Sequence, residues 1–243
     1  MDYFVAIDAG HGILTSGKRT FIFDDGMFMH EWEFNSAVMQ KLYKKLIPYT
    51  QIDVFLSNTE KYDVDLDVRV KRINEAWQLY QNKLGKNNVK GVSISIHANA
   101  EGVNTWGTAN GTATFYYPTN TVDKAFAEVI QKNLIAQTGL NPHRGGVVGE
   151  DFQMVREPLT IACLCECAFM TNLKEAELLR TDEFREKCAE GILNGILEYF
   201  GIAKIGETPI IEIPIETPKP KIEYTKTVNN TFMLYSDVEN LKV

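Results

Sequence analysis

Four histidines are spread through the 243 residues, and two of them close apolar runs. His11 follows Tyr3-Phe4-Val5-Ala6-Ile7-Asp8-Ala9-Gly10 and has glycine on both sides. His97 follows Val92-Ser93-Ile94-Ser95-Ile96. Such runs suit central strands of a parallel sheet, buried on both faces. Residues just past the carboxyl ends of these strands line the crevice where open α/β sheets bind ligands. Glu166 is the one charge within Ile161-Ala162-Cys163-Leu164-Cys165-Glu166-Cys167-Ala168. A carboxylate there is costly unless paired, so it is expected at the sheet's carboxyl edge beside the histidines. Two imidazoles and carboxylates from separate elements are donors that zinc prefers. A catalytic zinc also keeps a place for water and needs a carboxylate to take that water's proton. The glycines beside His11 are expected to turn the chain sharply and leave the imidazole approachable.

A further ligand can come from His30, Glu31 or Glu33, which open the next helix. No His-Glu-x-x-His sequence is present. His143 sits among glycines and reads as a rim residue. Cys163, Cys165 and Cys167 fall on one face of a strand. Their sulfurs are too spread to close around one metal ion. With Cys188 they read as small core residues in a reducing compartment.

The elements that must position these groups alternate. Arg19–Met29 reads as a hairpin around Asp24-Asp25-Gly26. A helix runs from His30 to about Leu46, with Phe34, Val38, Leu42 and Leu46 four apart, and Pro48 ends it. A strand over 52–56 and a helix over 65–84 follow, then the strand over 92–96. Residues 102–111 form a surface loop and 112–117 a strand. The helix over 122–138 stops at Gly139. Residues 141–150 are expected to be a loop, 152–155 a short strand and 159–167 a long buried strand. Asn172 is expected to cap a helix, with Glu175 at its third position. The last helix runs from 181 to 200.

This alternation predicts an α/β fold, a mostly parallel sheet with helices on both faces, in a catalytic domain over residues 1–202. Pro209, Pro214, Pro218 and Pro220 mark residues 203–223 as an extended linker. Residues 224–243 form a short C-terminal segment, read as a wall-binding or oligomerisation element and too short to fold alone.

Hydrophobic content of 44% is enough to build a core. Net charge is −7 and the pI about 5.2, which argues against phosphate-driven nucleic-acid binding. No run approaches the ~20 apolar residues of a membrane span. The start, Met1-Asp2-Tyr3-Phe4, has no basic region and no long apolar core. It predicts synthesis in a host cytoplasm without a signal peptide, with action after release.

Four segments together carry a resemblance: Asp8-Ala9-Gly10-His11-Gly12, Glu31-x-x-x-Asn35, Ser95-Ile96-His97-Ala98-Asn99-Ala100 and Glu166-x-x-Phe169-x-x-Asn172. In this order they are similar to the zinc-dependent N-acetylmuramoyl-L-alanine amidases of the family-3 type. Leu66-x-x-Arg69-x-x-x-x-Asn74 and Arg144-Gly145 fit the same pattern. The resemblance spans about residues 3–200. It implies a twisted six-stranded sheet, zinc held by His11, Glu31 and His97, and Glu166 as general base and then general acid. It also implies peptidoglycan as substrate, cut at the amide between N-acetylmuramic acid and L-alanine. The family spacing selects Glu31 over Glu33 and His30, and a residue entering a helix from a loop is freer to turn toward the sheet. Ile13-Leu14-Thr15-Ser16-Gly17 departs from the family's usual text, which concerns the rim. The proline-rich linker and the absent leader resemble a phage endolysin. The alternatives are a zinc carboxypeptidase-like hydrolase on the same fold and a non-catalytic wall-binding module.

Overall fold

A computed structural model describes residues 1–206. Six strands form one sheet: β1 (Asp2–Ala9), β2 (Ile52–Leu56), β3 (Val89–Asn99), β4 (Thr112–Tyr116), β5 (Pro142–Gly149) and β6 (Ile161–Phe169). The helices are α1 (Glu31–Leu46), α2 (Leu66–Leu84), α3 (Thr121–Thr138), α4 (Gln153–Arg156), α5 (Leu173–Leu179) and α6 (Asp182–Phe200). Strand order is β2-β1-β3-β6-β4-β5, and only the β4–β6 pair is antiparallel. This is the mostly parallel sheet expected, with its apolar central strands β1, β3 and β6 side by side.

Alternation along β1 shows the two helical layers. Tyr3 faces α6, its ring 4.3 Å from that of Phe200. Phe4 points the other way, 5.5 Å from both Trp77 and Tyr80 of α2. Helices α1, α3 and α6 pack together on the first face, and α2 and α4 on the second. On α6, Gly191 and Gly195 sit against Leu134 and Ile130 of α3, where a methyl group would meet main-chain atoms at 2.9 Å. The interior is close-packed in this way around Phe4, Ile7, Phe34, Ile94, Ile96, Phe126 and Ile130, all fully buried.

The helix ends follow local rules. Asn120 caps α3 through the Val122 and Asp123 N–H groups, and Gly139 ends it in the left-handed conformation. Asn172 caps α5 through Lys174 and Glu175. Thr181 caps α6 through Phe184.

Three expectations are corrected. Residues 142–149 are an edge strand, β5, rather than a loop. Its glycines hid it, since Gly145 and Gly146 have positive φ and its pairing with β4 shifts register between Thr112 and Thr114. Residues 153–156 form one helical turn rather than a strand, too short to show any period. The 19–29 hairpin reduces to one antiparallel bridge, Arg19 with His30, beyond which the strands do not extend. Its turn is real: Phe23 N–H donates to Met27 O and Gly26 N–H to Phe23 O. The rings of Phe21 and Phe23 pack on Trp106, with centroids 5.3 and 5.4 Å away. Of the expected linker, residues 203–206 are described, where Ile205 N–H donates to Tyr49 Oη at 3.1 Å; the rest of it and the C-terminal segment lie outside the described residues. No helix among the described residues is long and apolar enough to cross a membrane.

Candidate metal centre

The site lies at the carboxyl ends of β1, β3 and β6. β1 delivers His11 just past Ala9, and Gly10 N–H continues the ladder by donating to Ile96 O at 3.0 Å. β3 delivers His97, and β6 places Glu166 directly beside it in register. The first residue of α1, Glu31, completes the group, its N–H held by Lys18 O at 2.9 Å. His11, Glu31 and His97 each offer a ligand atom, and those atoms lie within 4.8 Å of one another.

Glu31 is the centre of the contacts and is only 1% exposed. Its Oε1 lies 3.0 Å from His97 Nδ1 and accepts from Ala98 N–H at 3.2 Å and Asn35 Nδ2 at 3.3 Å. Its Oε2 lies 3.4 Å from His11 Nε2 and is buried without a hydrogen-bond partner among the described residues. Glu166 Oε2 is likewise buried and unpartnered. The rival ligands are turned elsewhere. Glu33 Oε2 accepts the His30 main-chain N–H at 2.7 Å, and the His30 ring sits edge-on to Phe28. His143 stands on β5 with its ring 4.7 Å from that of Phe169. The four cysteines are buried and free, and none belongs to the ligand group.

The glycines around His11 do something other than expected. The positive φ belongs to His11 itself, at 62°. Gly10 makes room for the His97 imidazole, since a Cβ there would lie 2.5 Å from Nδ1 and Nε2 of that ring. Gly12 packs on the main chain of Tyr62 and Asp63, with a Cβ only 2.7 Å from Asp63 Cα. The openness predicted for these glycines is therefore taken up by protein atoms.

Electrostatics sort the four groups. Burial lowers His11 to about 4, so its ring is neutral at pH 7; the Glu31 charge opposes this, while His97 and Lys18 add to it. Burial opposes the ionised form of Glu31, yet the His97 hydrogen bond and the charges of His97, His11 and Lys18 outweigh it and hold the carboxyl at about 2. Burial also opposes charge on His97, but Glu31 overcomes it and raises that ring above its ordinary value. Glu166 is pushed up to about 8, mainly by burial and also by Glu31, against the opposing charges of His97 and Lys18. Two carboxylates that both act on His97 are thus driven to opposite protonation tendencies, a separation found where one group binds and the other moves protons.

Several contributors carried no assigned role in the sequence reading. Asn35 lies one helical turn from Glu31 and bridges it to Gly10 O at 3.0 Å. The i, i+4 spacing of the two residues was the available signal. Lys18 enters through its charge, from the loop joining His11 to Glu31. Arg69 reaches the main chain of this turn from α2.

The donor set fits a dication: two imidazoles and one carboxylate, with a buried carboxylate oxygen that no hydrogen bond satisfies. A mostly parallel sheet bearing this group and a second buried glutamate at its carboxyl edge has the layout of a hydrolase. The chain belongs to the Amidase_3 family of N-acetylmuramoyl-L-alanine amidases, whose pattern matches residues 5–198. It is 31% identical over 207 residues to an uncharacterized cell wall amidase of Bacillus anthracis, covering 81% of this chain but 35% of that protein. It is 28% identical to the N-acetylmuramoyl-L-alanine amidase LytC of Bacillus subtilis, with 81% and 35% of the two chains covered. The match thus spans about a third of the length of these two relatives. An N-acetylmuramoyl-L-alanine amidase from Clostridium difficile 630 has the same fold, with a TM-score of 0.69 at 29% identity over 82% and 97% of the chains. The catalytic domain of CwlV, from Bacillus (Paenibacillus) polymyxa var. colistinus, superposes with a TM-score of 0.67 at 32% identity over 84% and 100%.

Proposed function

We propose that this chain hydrolyses the amide between the lactyl group of N-acetylmuramic acid and the L-alanine of the peptidoglycan stem. In this reading His11, Glu31 and His97 hold a zinc ion and Glu166 handles the protons. The observation that carries it is the convergence of those three ligands around the unpartnered Glu31 Oε2, with Glu166 one strand away. Bound there, zinc would lower the pKa of water toward ~7 and polarise the amide carbonyl.

The protein's own part follows from the contacts. His11 is held neutral and Glu31 ionised, the states in which each donates electrons. Asn35 Nδ2 and the Ala98 N–H fix Glu31 Oε1 beside His97, leaving Oε2 to face His11. Glu166 binds a proton readily for a carboxylate because it is buried. Beside a dication it would be held as the carboxylate that a base requires. It accepts the proton of the attacking water and delivers it to the nitrogen of the leaving L-alanine. The acidic balance of the chain means that it meets the wall through specific sugar and peptide contacts rather than bulk attraction.

Digestion of a defined muropeptide followed by mass analysis of the fragments tests this. The expected product carries a new free amine on L-alanine, disappears with chelator and returns with added zinc. Release of a terminal amino acid instead would favour the carboxypeptidase alternative, and no product would leave a binding module. Turbidity loss of a cell suspension reads out a bacteriolytic role in the same terms.

A further inference from the structure

We infer that Arg69 is a positioning residue for the metal centre: its guanidinium holds His11 in the left-handed backbone conformation that presents the imidazole to Glu31 and His97. This rests on the reading of His11 as a ligand.

Arg69 lies in the first turns of α2, a helix that otherwise buries Val70, Ile73, Ala76, Trp77 and Tyr80. It is the largest fully buried side chain among the described residues, at 1% exposure. An arginine has five N–H donors in a rigid fork, and here each has an acceptor. Nε donates to Val64 O at 2.7 Å. One terminal nitrogen donates to Ala9 O at 2.6 Å and Asp8 Oδ1 at 3.3 Å. The other donates to Asp63 Oδ1 at 2.9 Å and His11 O at 3.2 Å.

Two of these acceptors are the main-chain carbonyls on either side of Gly10. Asn58 also grips Ala9, accepting from its N–H at 3.1 Å and donating to its O at 2.8 Å. Ala9 is therefore fixed twice over, and Arg69 is the only side chain bonded to the His11 carbonyl among the described contacts. That carbonyl follows a residue at φ 62°, in a region that a residue with a Cβ enters at a cost and keeps only where its surroundings over-determine it. If His11 relaxed to negative φ, its carbonyl would rotate off the guanidinium and its ring away from Glu31. The carboxylates beneath the turn complete the device. Asp8 accepts from Ser57 Oγ and Ser95 Oγ, both at 2.6 Å, as well as from Arg69, and so is locked in place. Asp63 also accepts from Thr15 Oγ1, whose oxygen in turn accepts the Gly12 N–H at 2.9 Å. The turn is therefore bound on both sides of His11. A purely structural helix residue in this position would need only to be apolar, since buried ion pairs add little stability over hydrophobic packing. What apolar packing cannot do is fix one carbonyl direction.

Lysine keeps the charge but is a single nitrogen with three donors, unable to span Ala9 O, His11 O and both carboxylates. Arg69→Lys is the variant to test in the full chain, with Ile73→Val as a control that loosens the same helix without touching the turn. Zinc affinity measured by chelator competition is expected to fall about 10- to 100-fold in Arg69→Lys, as for other residues that orient a metal ligand. Affinity is expected to stay at the wild-type level in Ile73→Val. The backbone is read separately, in the metal-free protein. There, wild-type His11 is expected to give the strong intra-residue amide–Hα NOE of a positive-φ residue, and Arg69→Lys to lose it. A wild-type NOE at His11 in Arg69→Lys overturns the proposal, as does unchanged zinc affinity in a wild-type protein that does bind zinc. If the wild-type chain binds no zinc, the ligand reading has failed and the NOE alone decides the role of Arg69.

Discussion

Replacing Gly10 with alanine is expected to damage the metal centre while leaving the fold in place. Gly10 is not among the positive-φ residues, so alanine meets no backbone penalty there. The cost is contact alone. The added methyl would lie 2.5 Å from both nitrogens of His97, whereas ordinary contact begins near 3.4 Å. The imidazole must therefore retreat by about 1 Å. Its Nδ1 is held by Glu31 Oε1 at 3.0 Å, so the movement breaks or stretches that bond. Metal–ligand distances tolerate only about 0.2 Å. Zinc affinity should drop at least 10- to 100-fold, while overpacking should cost stability about 1–3 kcal/mol. Chelator competition gives the first quantity and urea unfolding of the metal-free protein the second. Gly17→Ala is the control: φ is 75° and nothing lies within 4 Å, so it carries backbone strain of about 1 kcal/mol without any effect on zinc. A Gly10→Ala protein that binds zinc as tightly as the wild type would refute the reasoning, because the ring could then move without consequence.

Other outcomes follow from the same contacts. Zinc should raise the unfolding temperature more at pH 8 than at pH 6. His97 is raised in the metal-free fold, so its proton contributes stability that is present below pH 6.5 and lost as pH climbs past the folded value. Zinc competes for that site and gains up to about 1.4 kcal/mol per pH unit over the range. Asp123, buried on α3, is pushed from 3.8 up to about 6 by burial, against the Ala162 N–H that it accepts. A raised carboxyl makes stability fall as pH rises from about 4 through 6, so Asp123→Asn should be about 1–3 kcal/mol more stable than wild type at pH 8 and little changed at pH 3 in denaturant titrations. Glu33→Ala should leave zinc content unchanged, since Glu33 Oε2 serves the α1 start by accepting from His30 N–H. Its removal should cost about 1 kcal/mol in thermal unfolding.

The apolar runs that place His11 and His97 are visible in sequence because a parallel sheet buries both faces of its central strands. The helix ends at Asn172 and Gly139 are visible because capping is local chemistry. Glu31 was separable from Glu33 by family spacing and by the freedom of a residue that enters a helix from a loop, and in the structure Glu33 is occupied by the helix start. What stayed hidden depends on long-range contact. Gly10 looks like a flexible turn residue until β3 brings the His97 ring against it. Arg69 sits in an amphipathic pattern where an arginine reads as solvent-facing, and only the approach of α2 to the β1 end shows it buried. The edge strand β5 was hidden because its glycines carry no side-chain pattern to read.

The division of labour between the three ligands and Glu166 is tested most directly by measuring zinc content and turnover of a defined muropeptide in two variants, side by side. Glu166→Gln is expected to keep one zinc per chain and lose about 10²- to 10⁴-fold in rate, while His97→Ala is expected to lose both zinc and activity. A Glu166→Gln protein that digests at the wild-type rate, or a His97→Ala protein that keeps its zinc, would contradict the account.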